Sequence, residues 1–444
     1  VSWPGGNTPY IYGQSLVHFI VQQFSEDKLI AISKEFSACP YLGMNHALKK
    51  ILGIDQNELF EQWKKQKINE YKNQLEQVTE FSELTESEQL TNHQYWVDNP
   101  LWLPSSDLQS STLLYRVSTP YLYPTIREYN TTNDNERILI KRTTGHGTSY
   151  SYSPDQQYLI YSKLMQYKKY YNYYDLFLFH IKSGQQIRIS EAMRIKDPAW
   201  CPDFSQNKIA AVINQAGNNN LVLFSLPTGD GSLFRPLLEE TDIIYLTDFY
   251  NGTQISHPTW SPKGNQIAFS MWNEGYQDIC ILTLDNNNQV LSIKQITQDR
   301  YTNISPCWSP DGQYLYFSSD RTGIFNLYAY GLKERHFFRL TNITSGAFEP
   351  AVSPDGKKIA FIQYHASGYE LHITDIDQLL WYPVEDFPAP TGDGSLFLDK
   401  TYSYGTEEHD GTENRPLWEY SPLNSIFPTY WTPYLSLTSN DLYV

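Results

Sequence analysis

The chain holds only four cysteines, Cys39, Cys201, Cys280 and Cys307, and no two stand in C-x-x-C spacing. Neither a thiolate metal knuckle nor a dithiol redox pair is therefore written here, and the four read as buried free thiols. Nowhere do 18 apolar residues run together, so no spanning helix is expected. No Lys/Arg cluster interrupts a formal charge of -16, and a nucleic-acid partner, which needs a basic face, is excluded. His-Glu-x-x-His is absent, and His18 and His46 stand alone on helical stretches, so no zinc site or other cofactor is expected. Gly-x-Ser-x-Gly is absent too; Gly13-Gln14-Ser15-Leu16-Val17 lacks the closing glycine. No signal peptide opens the chain, and Val1 in place of Met is expected of a processed product or a fragment.

What the chain has in quantity is aromatic residues, 15% of the total with 35 tyrosines, alongside 40% hydrophobic residues. That composition suits strands and supplies a core. The stretch Trp308-Ser309-Pro310-Asp311-Gly312, followed by alternating Tyr314, Leu315, Tyr316 and Phe317, reads as a tight turn feeding a strand. Copies recur at Trp200-Cys201-Pro202-Asp203, Trp260-Ser261-Pro262-Lys263-Gly264 and Val352-Ser353-Pro354-Asp355-Gly356. Weaker ones stand at Ser153-Pro154-Asp155 and Trp102-Leu103-Pro104. Prolines 104, 154, 202, 262, 310 and 354 thus mark six units spaced 44 to 60 residues apart. Units of that length made of strand and turn predict a mainly β fold, a six-bladed β-propeller.

With these repeats the chain resembles the TolB-like (PD40) propeller family across about 96–380. It lacks the Gly-His and Trp-Asp pairs of the eukaryotic WD repeat. The repeat-turn residues Trp102, Pro154, Asp155, Trp200, Trp260, Pro262, Trp308, Pro310, Asp311, Pro354 and Asp355 are expected to be structural. The tryptophans would pack between blades, and the aspartates would bond their own turn backbone. No catalytic, cofactor or metal residue is assigned. The resemblance implies a periplasmic or outer-membrane-associated protein of the bacterial envelope.

Residues 1–80 have a helical period instead. Leu16, Phe19, Ile20 and Phe24 make one stripe, further helices are expected near 26–36 and 45–52, and Asp55 with Glu58 predicts a capped long helix whose face is Leu59, Trp63, Tyr71, Leu75 and Val78. With Tyr12-Gly13-Gln14-Ser15 and Leu52-Gly53-Ile54 at its joints, this order resembles the C-terminal helices of a gluzincin (peptidase MA-like) domain. Glu80, Glu83, Glu86 and Glu88 make an acidic connector into the first blade. Residues 227–234 and 390–397 share the identical stretch Pro-Thr-Gly-Asp-Gly-Ser-Leu-Phe, read as a duplicated glycine loop. Beyond 381 the Pro- and aromatic-rich tail resembles the connector to an outer-membrane surface-antigen barrel, implying outer-membrane association and a loosely held terminus.

Two functions compete. One is a non-catalytic binding or scaffold propeller that takes a protein or peptide at a channel mouth or an exposed face. The other is part of a peptidase, either a gluzincin without its catalytic half or a prolyl-oligopeptidase-like propeller without its hydrolase.

Overall fold

The structure, a computed structural model, describes residues 8–103, 112–143, 148–203, 206–226, 237–273, 275–384, 436–438 and 441–443. Pro104, the duplicated glycine loop and the Pro-rich tail from 385 to 435 lie outside them. The chain divides into two compact units, one spanning 75–392 and one built from 2–74 with 393–444.

The larger unit is a six-bladed β-propeller of antiparallel sheets. We call the strands of each blade a to d from the inside out. The inner a strands are Trp96–Trp102, Tyr150–Tyr152, Ile195–Trp200, Gln254–Trp260, Asn303–Trp308 and Ala347–Val352 in blades 1 to 6. Alternate residues of each strand face the two neighbouring blades, as the pleat requires. Ile209 and Ala211 thus pack toward blade 2, while Ala210 and Val212 pack toward blade 4. The last interface closes the ring, where Val97, Trp102 and Leu113 of blade 1 meet Ala351, Ala360, Ile362 and Leu371 of blade 6.

Closure uses the end of the acidic connector, which is a strand of the last blade. Glu88–Gln89 pairs with Gly368–Asp375 as the outer strand of blade 6, and the Leu90 N–H donates to the Leu371 carbonyl at 2.8 Å. Past blade 6, Tyr382–Val384 adds a fifth strand to the outer edge of blade 5, against His336–Arg339. Pro383 is tolerable there because an edge strand can lack a donor.

In the smaller unit, α1 (Thr8–Phe24), α2 (Glu26–Ala38), α3 (Gly43–Leu52) and the first part of α4 (Gln56–Phe81) bury Phe19, Ile20, Ile32, Leu48, Leu59 and Trp63. Asp55 Oδ1 accepts from the N–H groups of Asn57 and Glu58, and Glu58 returns the bond to the Asp55 N–H, capping α4. The apolar face of α4 is shorter than its sequence suggests. Tyr71 is 66% exposed and Leu75 47%, because the packing of this core along α4 ends at Trp63. Ser436–Thr438 and Asp441–Tyr443 form an isolated antiparallel pair.

Candidate functional site in the central channel

The repeat turns come first, because they set where each inner strand ends. Asp155, Asp311 and Asp355 each accept from a serine hydroxyl two residues back (Ser153, Ser309, Ser353) and from the N–H two residues on. The same serine oxygens accept the N–H of Tyr158, Tyr314 and Lys358 at the start of strand b. Burial opposes ionisation of Asp355, but the Ser353 hydroxyl, the Lys357 N–H and the Lys357 charge outweigh it and hold its pKa below the ordinary range. Gly264, Gly312 and Gly356 take the left-handed position these turns need, with φ of 66° to 72°.

The tryptophans tie neighbouring inner strands together. Trp102 Nε1 donates to the Ala351 carbonyl, Trp260 to Ala199 and Trp308 to Thr259, at 2.9 to 3.2 Å. Trp200 occupies the same phase, but its buried indole N–H has no hydrogen-bond partner. Pro154, Pro262, Pro310 and Pro354 line the channel wall beside these rings.

Five residues upstream of each turn proline lies a position the sequence reading did not single out. There stand Asn99, Ser149, Asp197, His257, Ser305 and Glu349, and all but Ser149 precede a proline. In those five blades the inner strand carries a bulge at this point. The residue before the proline takes φ of 51° to 55°. That is a left-handed conformation, unusual for any side-chain-bearing residue and held here by the surrounding sheet. The signal was available as a polar residue before a recurrent proline, but its side chain varies among amide, carboxyl, imidazole and hydroxyl from unit to unit.

The bulges line a cavity of about 430 Å³ with five of these residues, Asn99, Ser149, His257, Ser305 and Glu349, and with the prolines that follow four of them. Asp197 is fully buried beside it and accepts the Ser149 N–H through Oδ1 at 2.8 Å. Its Oδ2, the Ser149 Oγ and the His257 Nδ1 have no hydrogen-bond partner, although the Lys196 ammonium lies 3.6 Å from that oxygen. Burial lowers the His257 pKa against the pull of Asp197. In blade 1, Asp98 and Arg116 form a buried two-point ion pair, with Arg116 also donating to Thr148 of blade 2. Glu349 accepts the Asn99 N–H, and burial together with the Asp98 charge pushes its pKa up to about 8.

Ser87 Oγ and His372 Nδ1 are 2.9 Å apart, but the other ring nitrogen of His372 faces His365 Nε2 at 2.8 Å in place of a carboxylate. Burial and the His365 charge lower the His372 pKa to about 4, so it is a poor base. Among the described residues no three His, Cys, Asp or Glu side chains converge as a metal site, and no helix is long and apolar enough to cross a membrane. His46 lies 3.6 Å from Glu35.

Residues 244–381 match the family PD40, described as the TolB beta propeller domain. An uncharacterized protein of Agrobacterium fabrum is 29% identical over 118 residues, which are 27% of this chain and 39% of that protein. The Tol-Pal system protein TolB of Anaeromyxobacter dehalogenans is 30% identical over 112 residues, a quarter of each chain. The chain therefore spans well under half the length of the curated relatives it matches. Among solved structures, TolB from Acinetobacter baumannii superposes with a TM-score of 0.46 at 16% identity, covering 62% of this chain and 64% of that one. The putative TolB from Agrobacterium tumefaciens gives 0.45 at 19%, covering 58% and 87%.

Proposed function

We propose that the protein is a non-catalytic binding propeller of a bacterial envelope, and that it takes a segment of a protein partner at its central channel. The observation that carries this reading is the ring of polar residues, Asn99, Ser149, His257, Ser305 and Glu349, set among prolines around a cavity of about 430 Å³ in the channel. A peptide carries the backbone donors and acceptors that such a ring of amide, hydroxyl, imidazole and carboxyl groups can bond. Bulged backbone at five of the six positions fits the same reading, since strain concentrates at binding sites. Relatives carry the name Tol-Pal system protein TolB, which favours a protein partner, and the periplasm is what the resemblance to the TolB-like family implies. Association with the outer membrane rests on the tail's resemblance to a barrel connector.

The test is selection of peptides from a displayed library against the full chain, followed by rebinding to His257→Trp and Ser305→Trp, which fill the cavity. Selected peptides should compete with one another and lose binding to both variants. Peptides that bind the filled variants as well as the parent would place the site elsewhere.

A further inference from the structure

The strands of a blade alternate in direction, so the b–c hairpins and the d–a connections share one face of the propeller. Blade 2 has the longest hairpin on that face. Its strands b (Tyr158–Tyr167) and c (Tyr171–His180) hold ten residues each and pair without a break from Tyr158↔His180 to Tyr167↔Tyr171, whereas strands b and c of the other blades have six to nine. At roughly 3.3 Å per residue, one to four extra residues add about 3 to 13 Å of reach.

The composition of this hairpin runs against that of the chain. Within a protein of formal charge -16, residues 163–174 contain Lys163, Lys168, Lys169 and five tyrosines, with no Asp or Glu. Arg194, from the connection into blade 3, joins them. Its guanidinium lies 4.4 Å over the Tyr173 ring and donates to the Tyr173 hydroxyl at 2.9 Å. Tyr173 in turn contacts Tyr167 and stacks on Tyr171, at 5.7 and 5.8 Å between centroids. Tyr170 at the tip is 86% exposed and Tyr171 53%.

Two features show that the tip is not built for turn stability. Lys168 and Lys169 both take positive φ, 46° and 67°, where Gly or Asn would be cheaper. Among the described residues neither lysine, nor Lys163 or Arg194, forms an ion pair; Lys163 and Lys168 lie 5.6 and 5.1 Å over the Phe177 and Tyr167 rings, where no carboxylate takes up their charge. Rigid tyrosines supply contact area at low entropic cost, and unpaired cations select for opposite charge.

We propose that this hairpin docks an acidic segment of a protein partner, with Lys168, Lys169 and Arg194 pairing its carboxylates and Tyr170 and Tyr171 covering its backbone. An acidic peptide fits the surface better than an anionic membrane does. A peptide samples only the charges within a Debye length, about 8 Å at physiological salt. A membrane plane would also meet the acidic remainder of the molecule. The proposal stands apart from the channel reading and does not need it.

The full chain should bind a fluorescent oligo-glutamate peptide in low salt, measured by anisotropy, and should not bind an oligo-lysine peptide at the same hairpin. Lys168→Glu with Lys169→Glu should weaken oligo-glutamate binding by about tenfold or more. Tyr170→Ser with Tyr171→Ser should weaken it severalfold without changing its salt dependence. These side chains are exposed, so melting temperatures should match the parent. Should a variant fold poorly, protection of Lys168 and Lys169 of the parent from acetylation by bound oligo-glutamate gives the same answer. Binding indifferent to the charge reversal, no protection, or capture by phosphatidylglycerol vesicles without peptide binding would each overturn the proposal.

Discussion

At the scale of single residues, the channel gathers side chains whose protonation is set by burial. Glu349 is the clearest case. Its pKa is raised from the ordinary 4.5 to about 8 by burial and then by Asp98. A carboxyl raised on folding contributes stability that is full below pH 4.5 and is lost as pH climbs through 8. Glu349→Gln should therefore match the parent's stability near pH 4 and exceed it at pH 9, by on the order of 5 kcal/mol for a shift from 4.5 to about 8. Parallel melting curves across that range would remove the charge argument. The tryptophans allow a finer comparison, since Trp260 donates its indole N–H to Ala199 whereas Trp200 has no acceptor. Trp260→Phe should cost about 1 kcal/mol more than Trp200→Phe in chemical denaturation, and equal costs would mean that the indole bond between blades contributes nothing. The turns were legible in the sequence because each completes its hydrogen bonds within five residues. The residues at the bulges were not, because Asn99, Asp197, His257, Ser305 and Glu349 share a backbone conformation while their side chains range over amide, carboxyl, imidazole and hydroxyl.

At the scale of elements, the six units could be counted from the repeats, while the strands that close and extend the sheets could not. Glu88–Gln89 is two residues long, too short to show a period, and its partner strand lies nearly the whole propeller away in sequence. Tyr382–Val384 hides behind a proline and follows the last repeat. The segment leading into the closing strand also brings Ser87 to His372, whose pKa is lowered to about 4 by burial and then by His365. A histidine depressed on folding contributes stability that is present above its ordinary 6.5 and is lost as pH falls through 4. Acid should therefore loosen blade 6 first. Hydrogen exchange in the strand Gly368–Asp375 should accelerate between pH 6 and 4 beyond the intrinsic rate, and His372→Gln should flatten that dependence. The two pH effects have opposite signs, so the Glu349 and His372 variants separate them.

At the scale of the whole propeller, closure decides whether six blades act as one cooperative body or as neighbours that loosen in turn. Each described blade interface is apolar, and the interface of blades 6 and 1 differs in also depending on a strand from the start of the propeller. Leu90 serves both parts of that closure, since its N–H bonds the Leu371 carbonyl and its side chain packs on the cluster around Val97 and Leu371. Leu90→Pro removes the donor, leaves the Leu371 carbonyl without its partner and should cost about 1 to 3 kcal/mol. Cys280 offers a distant reporter. It lies in blade 4, is fully buried, and has its thiol pKa pushed up to about 12 by burial and then by Asp278, so a thiol reagent at pH 8 modifies it only after opening. If the ring is one cooperative unit, Leu90→Pro should speed Cys280 modification by the factor that its loss of global stability predicts, about a hundredfold for 3 kcal/mol. Unchanged Cys280 protection alongside faster exchange in the strand Gly368–Asp375 would show that the closing strand holds only its own blade.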